Sequence, residues 1–243
     1  MEGFSRTAGV EILCFRPWER IPGLCQGVTL RPSRSEPELT YRRLSAGMRK
    51  EGFAAIRRLN QLHGANVVRA CRGAGKSAAA GDGLVSFEAG VLGLVTTADC
   101  VPVFVLDPLS ACWSLLHAGW RGVAAGVITE GLRVIQESLE VSARKLELYL
   151  GPSICASCFE VGPEVARVLA KVSQSGVEKR SGGRFYADLR QLLAAQAACC
   201  GVRPENIFAS KYCTRCHNDL FYSFRAEGRR ALRRMWAFMG RSE

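Results

Sequence analysis

Three short apolar runs, residues 90–95, 101–106 and 112–116, lie close together near the middle of the chain. Bounded by Gly, Pro and Asp, they predict buried strands. Buried strands whose ends carry Asp, Cys, His and Arg read as the floor and rim of a site. Their ends carry the chemistry: Thr96-Thr97-Ala98-Asp99-Cys100 separates the first two runs, and the third delivers His117 into Ala118-Gly119-Trp120-Arg121-Gly122. Upstream, Gln61-Leu62-His63-Gly64 precedes a fourth apolar run, 65–70, and supplies the other histidine before His217.

His63, Cys100 and His117 form a possible Cys-His-His set, and three such ligands with an open fourth position are what a catalytic zinc requires. They stand 37 and 17 residues apart, too far for a local knuckle, so the fold would have to assemble them. By spacing alone they read equally as a buried thiol and two hydrogen-bonded histidines.

The motifs Gln-Leu-His-Gly (61–64), Gly-Asp-Gly-Leu-Val (81–85), Thr-Ala-Asp-Cys-Val-Pro (97–102) and His-Ala-Gly-Trp-Arg-Gly (117–122) come in a characteristic order. Gly-Pro-Ser-Ile (151–154), Phe-Glu-Val-Gly (159–162), Cys-Thr (213–214) and Phe-Tyr-Ser-Phe-Arg (221–225) follow. This order resembles laccase-domain proteins, also called multicopper polyphenol oxidoreductases, members of which are read as purine nucleoside phosphorylases. The resemblance is strongest over 60–228. It implies zinc on His63, Cys100 and His117, with copper as the lesser option. It also implies an α+β fold, a single domain of packed mixed β-sheets flanked by helices in α/β/β/α layers. The implied substrates are phosphate and a purine nucleoside (adenosine, inosine, guanosine or methylthioadenosine), with adenosine deamination alongside. Asp99 and Arg121 are the expected catalytic residues, and Arg121 and Asp82 the expected substrate-binding ones. Arg121 sits where a helix would begin, so free amides and a guanidinium together suit an anion such as phosphate.

The laccase name itself fails on the inventory. Four-copper oxidation needs many more imidazoles than His63, His117 and His217, the only histidines present. A single copper on two His and one Cys with a weak axial ligand survives as an alternative, although Met1, Met48, Met235 and Met239 are all remote in sequence. Another alternative is a metal-free cysteine hydrolase or amidase, with Cys100 as nucleophile and His117 as base. A nucleoside-binding protein without turnover is a third.

Length and charge bound the rest. At 243 residues, one domain over 1–243 is expected. The 33 basic and 22 acidic residues give a formal charge of +11, which attracts anions including phosphate and nucleotides. No zinc-finger, RRM or helix-turn-helix signature accompanies that charge, so nucleic-acid binding is not expected. No run approaches the roughly 20 apolar residues of a membrane span, and the N-terminus does not read as a signal peptide. A cytoplasmic protein whose 11 cysteines stay reduced is therefore expected.

Along the chain, Pro17, Pro22, Pro32 and Pro37 predict strands and loops over 1–40, and 41–59 reads as helical. Helices are expected over 122–139, 162–172, 189–200 and, rich in arginine, 227–239. Strands are expected over 65–70, 146–150, 185–188, 207–210 and 221–224. The absence of regular βα alternation favours α+β. Ala70–Ser77 loosely matches a phosphate loop, but too few residues separate Ser77 from Gly81 for the required helix, so no NTPase is expected. The pairs Cys155/Cys158 and Cys213/Cys216 have zinc-ligand spacing, yet the gap between them is longer than a zinc ribbon needs, and no second zinc is expected. The N-terminal third departs from the family pattern at Gln26-Gly27-Val28-Thr29, 31–39 and Tyr41-Arg42, which predicts a narrow or shifted substrate preference.

Overall fold

The computed structural model describes residues 1–31, 41–73, 78–110, 112–228 and 233–243, without the side chains of Tyr41 and Arg42. In chain order it runs β1 (Glu2–Thr7), β2 (Val10–Phe15), β3 (Leu24–Thr29), α1 (Tyr41–Lys50), β4 (Ala55–Asn60) and β5 (Val67–Arg69). Then come β6 (Ala79–Ala80), β7 (Gly83–Ser86), β8 (Val91–Thr97), β9 (Val101–Leu106), β10 (Trp113–Ala118), α2 (Trp120–Ala125) and α3 (Val127–Leu139). The rest is β11 (Glu147–Leu150), β12 (Glu160–Val161), α4 (Pro163–Ala170), β13 (Val177–Lys179), β14 (Phe185–Ala187), α5 (Leu189–Cys199), β15 (Ile207–Ala209), α6 (Phe224–Glu227) and β16 (Met235–Arg241).

The strands make a seven-stranded sheet, β1-β2-β3-β16-β8-β4-β6, a six-stranded sheet, β15-β11-β9-β10-β7-β5, and a small one, β12-β14-β13. Three apolar layers hold them. Val95, Val91 and Met239 of the first large sheet meet Phe104, Trp113, Leu115 and Tyr149 of the second. Val101, Val103, Val105 and Leu116, on the other face of the second sheet, pack beneath Ile128, Leu132 and Ile135 of α3 and Leu192 of α5. Leu44 and Met48 of α1 cover Leu92, Leu94 and Phe238 on the outside of the first. The order is thus α/β/β/α, as expected, and period-two alternation in β8 and β9 divides their residues between layers. The sheets touch closely where the Trp113 ring lies against Gly93, at which a Cβ would come within 2.7 Å of the indole.

Several elements differ from the sequence reading. Among the described residues of 227–239 there is no closing helix: α6 ends at Glu227, and the apolar Met235–Arg241 is a strand between β3 and β8. Burial of Met235, Ala237, Phe238 and Met239 between the layers outweighs the helical appearance of the segment. The helix expected over 122–139 is split at Gly126, whose φ of 80° admits the left-handed break between α2 and α3. Residues 55–59 belong to β4, preceded by a turn from 51, rather than to a helix, and 221–223 lead irregularly into α6, which begins at Phe224. The phosphate-loop look-alike passes into β6 at Ala79 with no helix among its described residues; 74–77 lie outside them, as do the departures at 32–39 and residues 229–232 of the arginine-rich closing segment. Gln26 in β3 is buried, with its side-chain amide bonded to Phe15 N and O, so it braces two strands.

Candidate active site

Four element ends meet at one edge of the two sheets. β4 runs parallel to β8, so the loop after Asn60 and the turn after Thr97 emerge side by side. The turn from Ala98 to Cys100 then crosses from the first large sheet to the second, where β9 begins, and β10 antiparallel to β9 ends at the same edge. His63 comes from the first loop, Cys100 from the crossing turn and His117 from the end of β10. Their ligand atoms lie within 4.8 Å of one another, and the two imidazoles meet edge to face at 4.7 Å. Mutual distances of this size suit ligands about 2.0–2.3 Å from a single ion. His117 is buried, Cys100 half-buried and His63 exposed, which leaves one side open to the cleft.

Asp82 stands behind this set. Its side chain is fully buried, and Oδ1 accepts His117 Nδ1 at 3.0 Å and His63 N at 2.9 Å. Oδ2 accepts Gly64 N at 2.6 Å and Leu62 N at 3.2 Å. The β7–β10 pairing puts it there, and His117 N also donates to Asp82 O at 2.7 Å. Burial alone would raise the Asp82 carboxyl, but the His117 hydrogen bond and the backbone amides outweigh it and hold the carboxyl below its usual range. As an ionised carboxylate only accepts, Nδ1 must donate, and Nε2 of His117 is the nitrogen left for a metal. The loop itself is pinned by Gln61, whose Nε2 donates to Thr96 O at 2.9 Å and whose Oε1 accepts Thr96 N at 2.8 Å.

Without a metal, the ligands are electrostatically coupled. Burial opposes charge on the Cys100 thiol, yet hydrogen bonds and charge from His117 and His63 prevail and lower it to about 7. Burial likewise opposes charge on His117, but the bonds to Asp82 and Cys100 raise it to about 9. The pair is a thiolate facing an imidazolium. That donor set fits a soft-to-borderline divalent ion, which would replace the proton shared across the pair.

The set forms part of the lining of a cleft of about 740 Å³. Asp99, Trp120, Arg121, Phe159, Phe224, Arg225 and Arg234 line it too, whereas Asp82 and the four methionines do not. Asp99 has φ +90°, and its carboxylate accepts Thr214 Oγ1 and Arg225 N, each at 2.6 Å. Arg121 is exposed and lies 4.3 Å over the Trp120 ring. The structure brings the three candidate ligands His63, Cys100 and His117 together with Asp99 and Arg121 at the cleft, but Asp82 sits behind it, out of a substrate's reach. The sequence reading misses Thr214, Phe159, Arg225 and Arg234; the motifs containing the first three were visible, but their convergence was not.

Two facing sheets with a Cys-His-His cluster where they meet define an α+β protein with an inter-sheet candidate metal centre. The chain belongs to the multi-copper polyphenol oxidoreductase laccase family, whose pattern matches residues 38–242. It is 34% identical over 195 residues, 75% of this chain and 71% of the relative, to the purine nucleoside phosphorylase YlmD of Geobacillus stearothermophilus. It is 34% identical over 153 residues, 60% of this chain and 57% of the relative, to adenosine deaminase RL5 from an unknown prokaryotic organism. The crystal structure of YlmD from Geobacillus stearothermophilus superposes with a TM-score of 0.84 at 27% identity, covering 100% of both chains. Among the described residues no helix is long and apolar enough to cross a membrane.

Proposed function

We propose that this chain is a zinc-dependent purine nucleoside phosphorylase with adenosine deaminase activity alongside. The observation that carries the reading is the cluster of His63, Cys100 and His117 in a cleft also lined by Asp99, Trp120, Arg121, Phe159 and Arg225. Relatives named purine nucleoside phosphorylase and adenosine deaminase supply the substrate class. His63, Cys100 and His117 would hold the metal, which when bound supplies a Lewis acid with an open position facing the cleft.

The chain's own residues set the geometry. Arg121, exposed at the start of α2, seats phosphate through a planar pair of N–H donors. Trp120, Phe159 and Phe224 offer apolar ring surface to the purine. Asp99 has one lone pair on each oxygen already engaged, so it holds ribose hydroxyls through the others, and its charge favours the cationic sugar that develops at C1′. Asp82 acts through His117, fixing the ring and its tautomer, rather than on substrate.

A second reading, a metal-free cysteine hydrolase, draws on the Cys100 thiolate, the His117 imidazolium and Asp82 behind them, which together have the form of a nucleophile, base and orienting carboxylate. One experiment separates the two. The protein is incubated with adenosine, inosine, guanosine and methylthioadenosine, with and without phosphate, and products are resolved. Phosphorolysis gives free base and ribose-1-phosphate only with phosphate, and deamination gives inosine from adenosine without it. No nucleoside consumed by fully metal-loaded protein would sink the assignment; an amidase would keep its activity in chelator and lose it to thiol alkylation.

A further inference from the structure

Two Cys-x-x-Cys pairs far apart in sequence close into one cluster. Sγ atoms of Cys155, Cys158, Cys213 and Cys216 all lie within 4.8 Å of one another, and Cys158 Sγ is 3.4 Å from Cys216 Sγ. Four thiolates placed tetrahedrally at about 2.3 Å from one zinc are about 3.8 Å apart, so the cluster has the size of a single-ion cage. We propose that these four cysteines bind a second, structural zinc ion, separate from the Cys-His-His centre.

Three features besides the distances favour this. The backbone already points donors at a sulfur: Cys216 N and Cys155 N lie 3.4 and 3.3 Å from Cys213 Sγ. Such N–H···S bonds stabilise a thiolate ligand and leave its remaining lone pairs for metal. The two segments are also preassembled by an isolated parallel bridge between Ser153 and Cys213, with Thr214 N donating to Ser153 O at 3.1 Å. Finally, a zinc with four thiolates carries two net negative charges, and the cluster has cations beside it. Arg215 Nη1 lies 3.4 Å and Arg225 Nη1 3.5 Å from Cys158 O.

The position gives the ion a purpose. Thr214, next to Cys213, donates to Asp99 Oδ1, Arg225 N donates to Asp99 Oδ2, and Ile154 N, next to Cys155, donates to Asp99 O at 3.0 Å. Apart from the single bridge at Cys213, the cysteines lie in turns and irregular backbone. A metal staple across them fixes Thr214 and Ile154, two of the three donors that hold Asp99, and with them one wall of the cleft.

Metal analysis of the full chain, purified with reductant and dialysed without added zinc, tests this. Two zinc ions per chain are expected, falling to one in Cys216→Ser, Cys158→Ser and His63→Ala alike. The first two leave the Cys-His-His centre loaded, and the third leaves the new site loaded. Cobalt bound by the His63→Ala variant should show strong thiolate-to-metal charge-transfer absorption. Alkylation of the native wild-type chain followed by mass spectrometry stands even if the serine variants fold poorly. All four cysteines should be protected relative to exposed Cys199, and become reactive together once a strong chelator strips the ion. One zinc per chain, unchanged by Cys216→Ser, would overturn the proposal. Iron in place of zinc, disulfide-linked pairs, or alkylation of the four as fast as Cys199 would overturn it too. The result does not depend on whether the nucleoside reading holds, because neither readout involves turnover.

Discussion

Replacing Asp82 by Asn preserves shape and removes the charge, which isolates what the carboxylate does for His117. The four N–H groups around it lie at 2.6–3.2 Å, two on each oxygen. An amide presents one acceptor oxygen and one NH₂, so two of the four donors lose their acceptor and face another donor. A hydrogen bond to an ionised group contributes roughly 1.5–3 kcal/mol, so losing two costs on the order of 3–6 kcal/mol. Against a typical total of about 5–15 kcal/mol the fold survives but the His63 loop and the His117 ring are released. Affinity of the centre that His63→Ala empties should then fall about 10–100-fold, the range usual for an orienting partner of a metal-bound histidine. A chromophoric chelator in competition reads that affinity, and urea unfolding reads stability on the same samples. Asp107→Asn is the control, since Asp107 is also buried but caps the turn at Leu109 and Ser110. It should lower stability and leave metal affinity alone. Affinity in Asp82→Asn within about twofold of wild type would refute the orienting role.

The Asp82 carboxyl also predicts an acid limit. Its folded value lies below the ordinary one near 3.9, so its stabilisation is complete above about pH 4 and is lost as pH falls through the folded value. Metal-free wild type should lose stability more steeply below about pH 4 than Asp82→Asn, as followed by circular dichroism. In metal-free protein the Cys100 thiol, at about 7, should be alkylated by iodoacetamide with a midpoint near that pH rather than near the usual ~8.5, and added zinc should protect it. Arg121→Ala should raise the phosphate requirement far more than the nucleoside requirement, by about 10–150-fold if a charge-assisted contact of roughly 1.5–3 kcal/mol is lost; equal weakening toward both substrates would count against the phosphate seat.

How much of this is legible in the sequence depends on distance along the chain. The apolar runs at 101–106 and 112–116 read as strands because nothing polar interrupts them, and they become β9 and β10 at the heart of the second large sheet. The candidate ligands Cys100 and His117 sit at the ends of such runs and His63 just before another, so the motif order suffices to gather them. Asp82 looks like a residue for substrate when only its motif is visible; the pairing of Gly83 with Leu116 is what turns it toward His117 and away from the cleft. β16 is opaque for a different reason. Arg225, Arg233 and Arg234 near an apolar segment read as an amphipathic helix, and only its neighbours β3 and β8 make residues 235–241 a strand. The four-cysteine cluster is hidden by the same logic: 55 residues separate Cys158 from Cys213, and the bridge at Ser153 that closes the gap is a tertiary fact.

The central claim is that the nucleoside chemistry requires the Cys-His-His centre. His63 is exposed on a loop, so His63→Ala should leave the fold intact. The direct measurement is metal content and turnover of adenosine and inosine, with and without phosphate, on one preparation of that variant. The account predicts one metal ion fewer than wild type, unchanged circular dichroism, and loss of both phosphorolysis and deamination. Loss of that ion with either activity retained would contradict it.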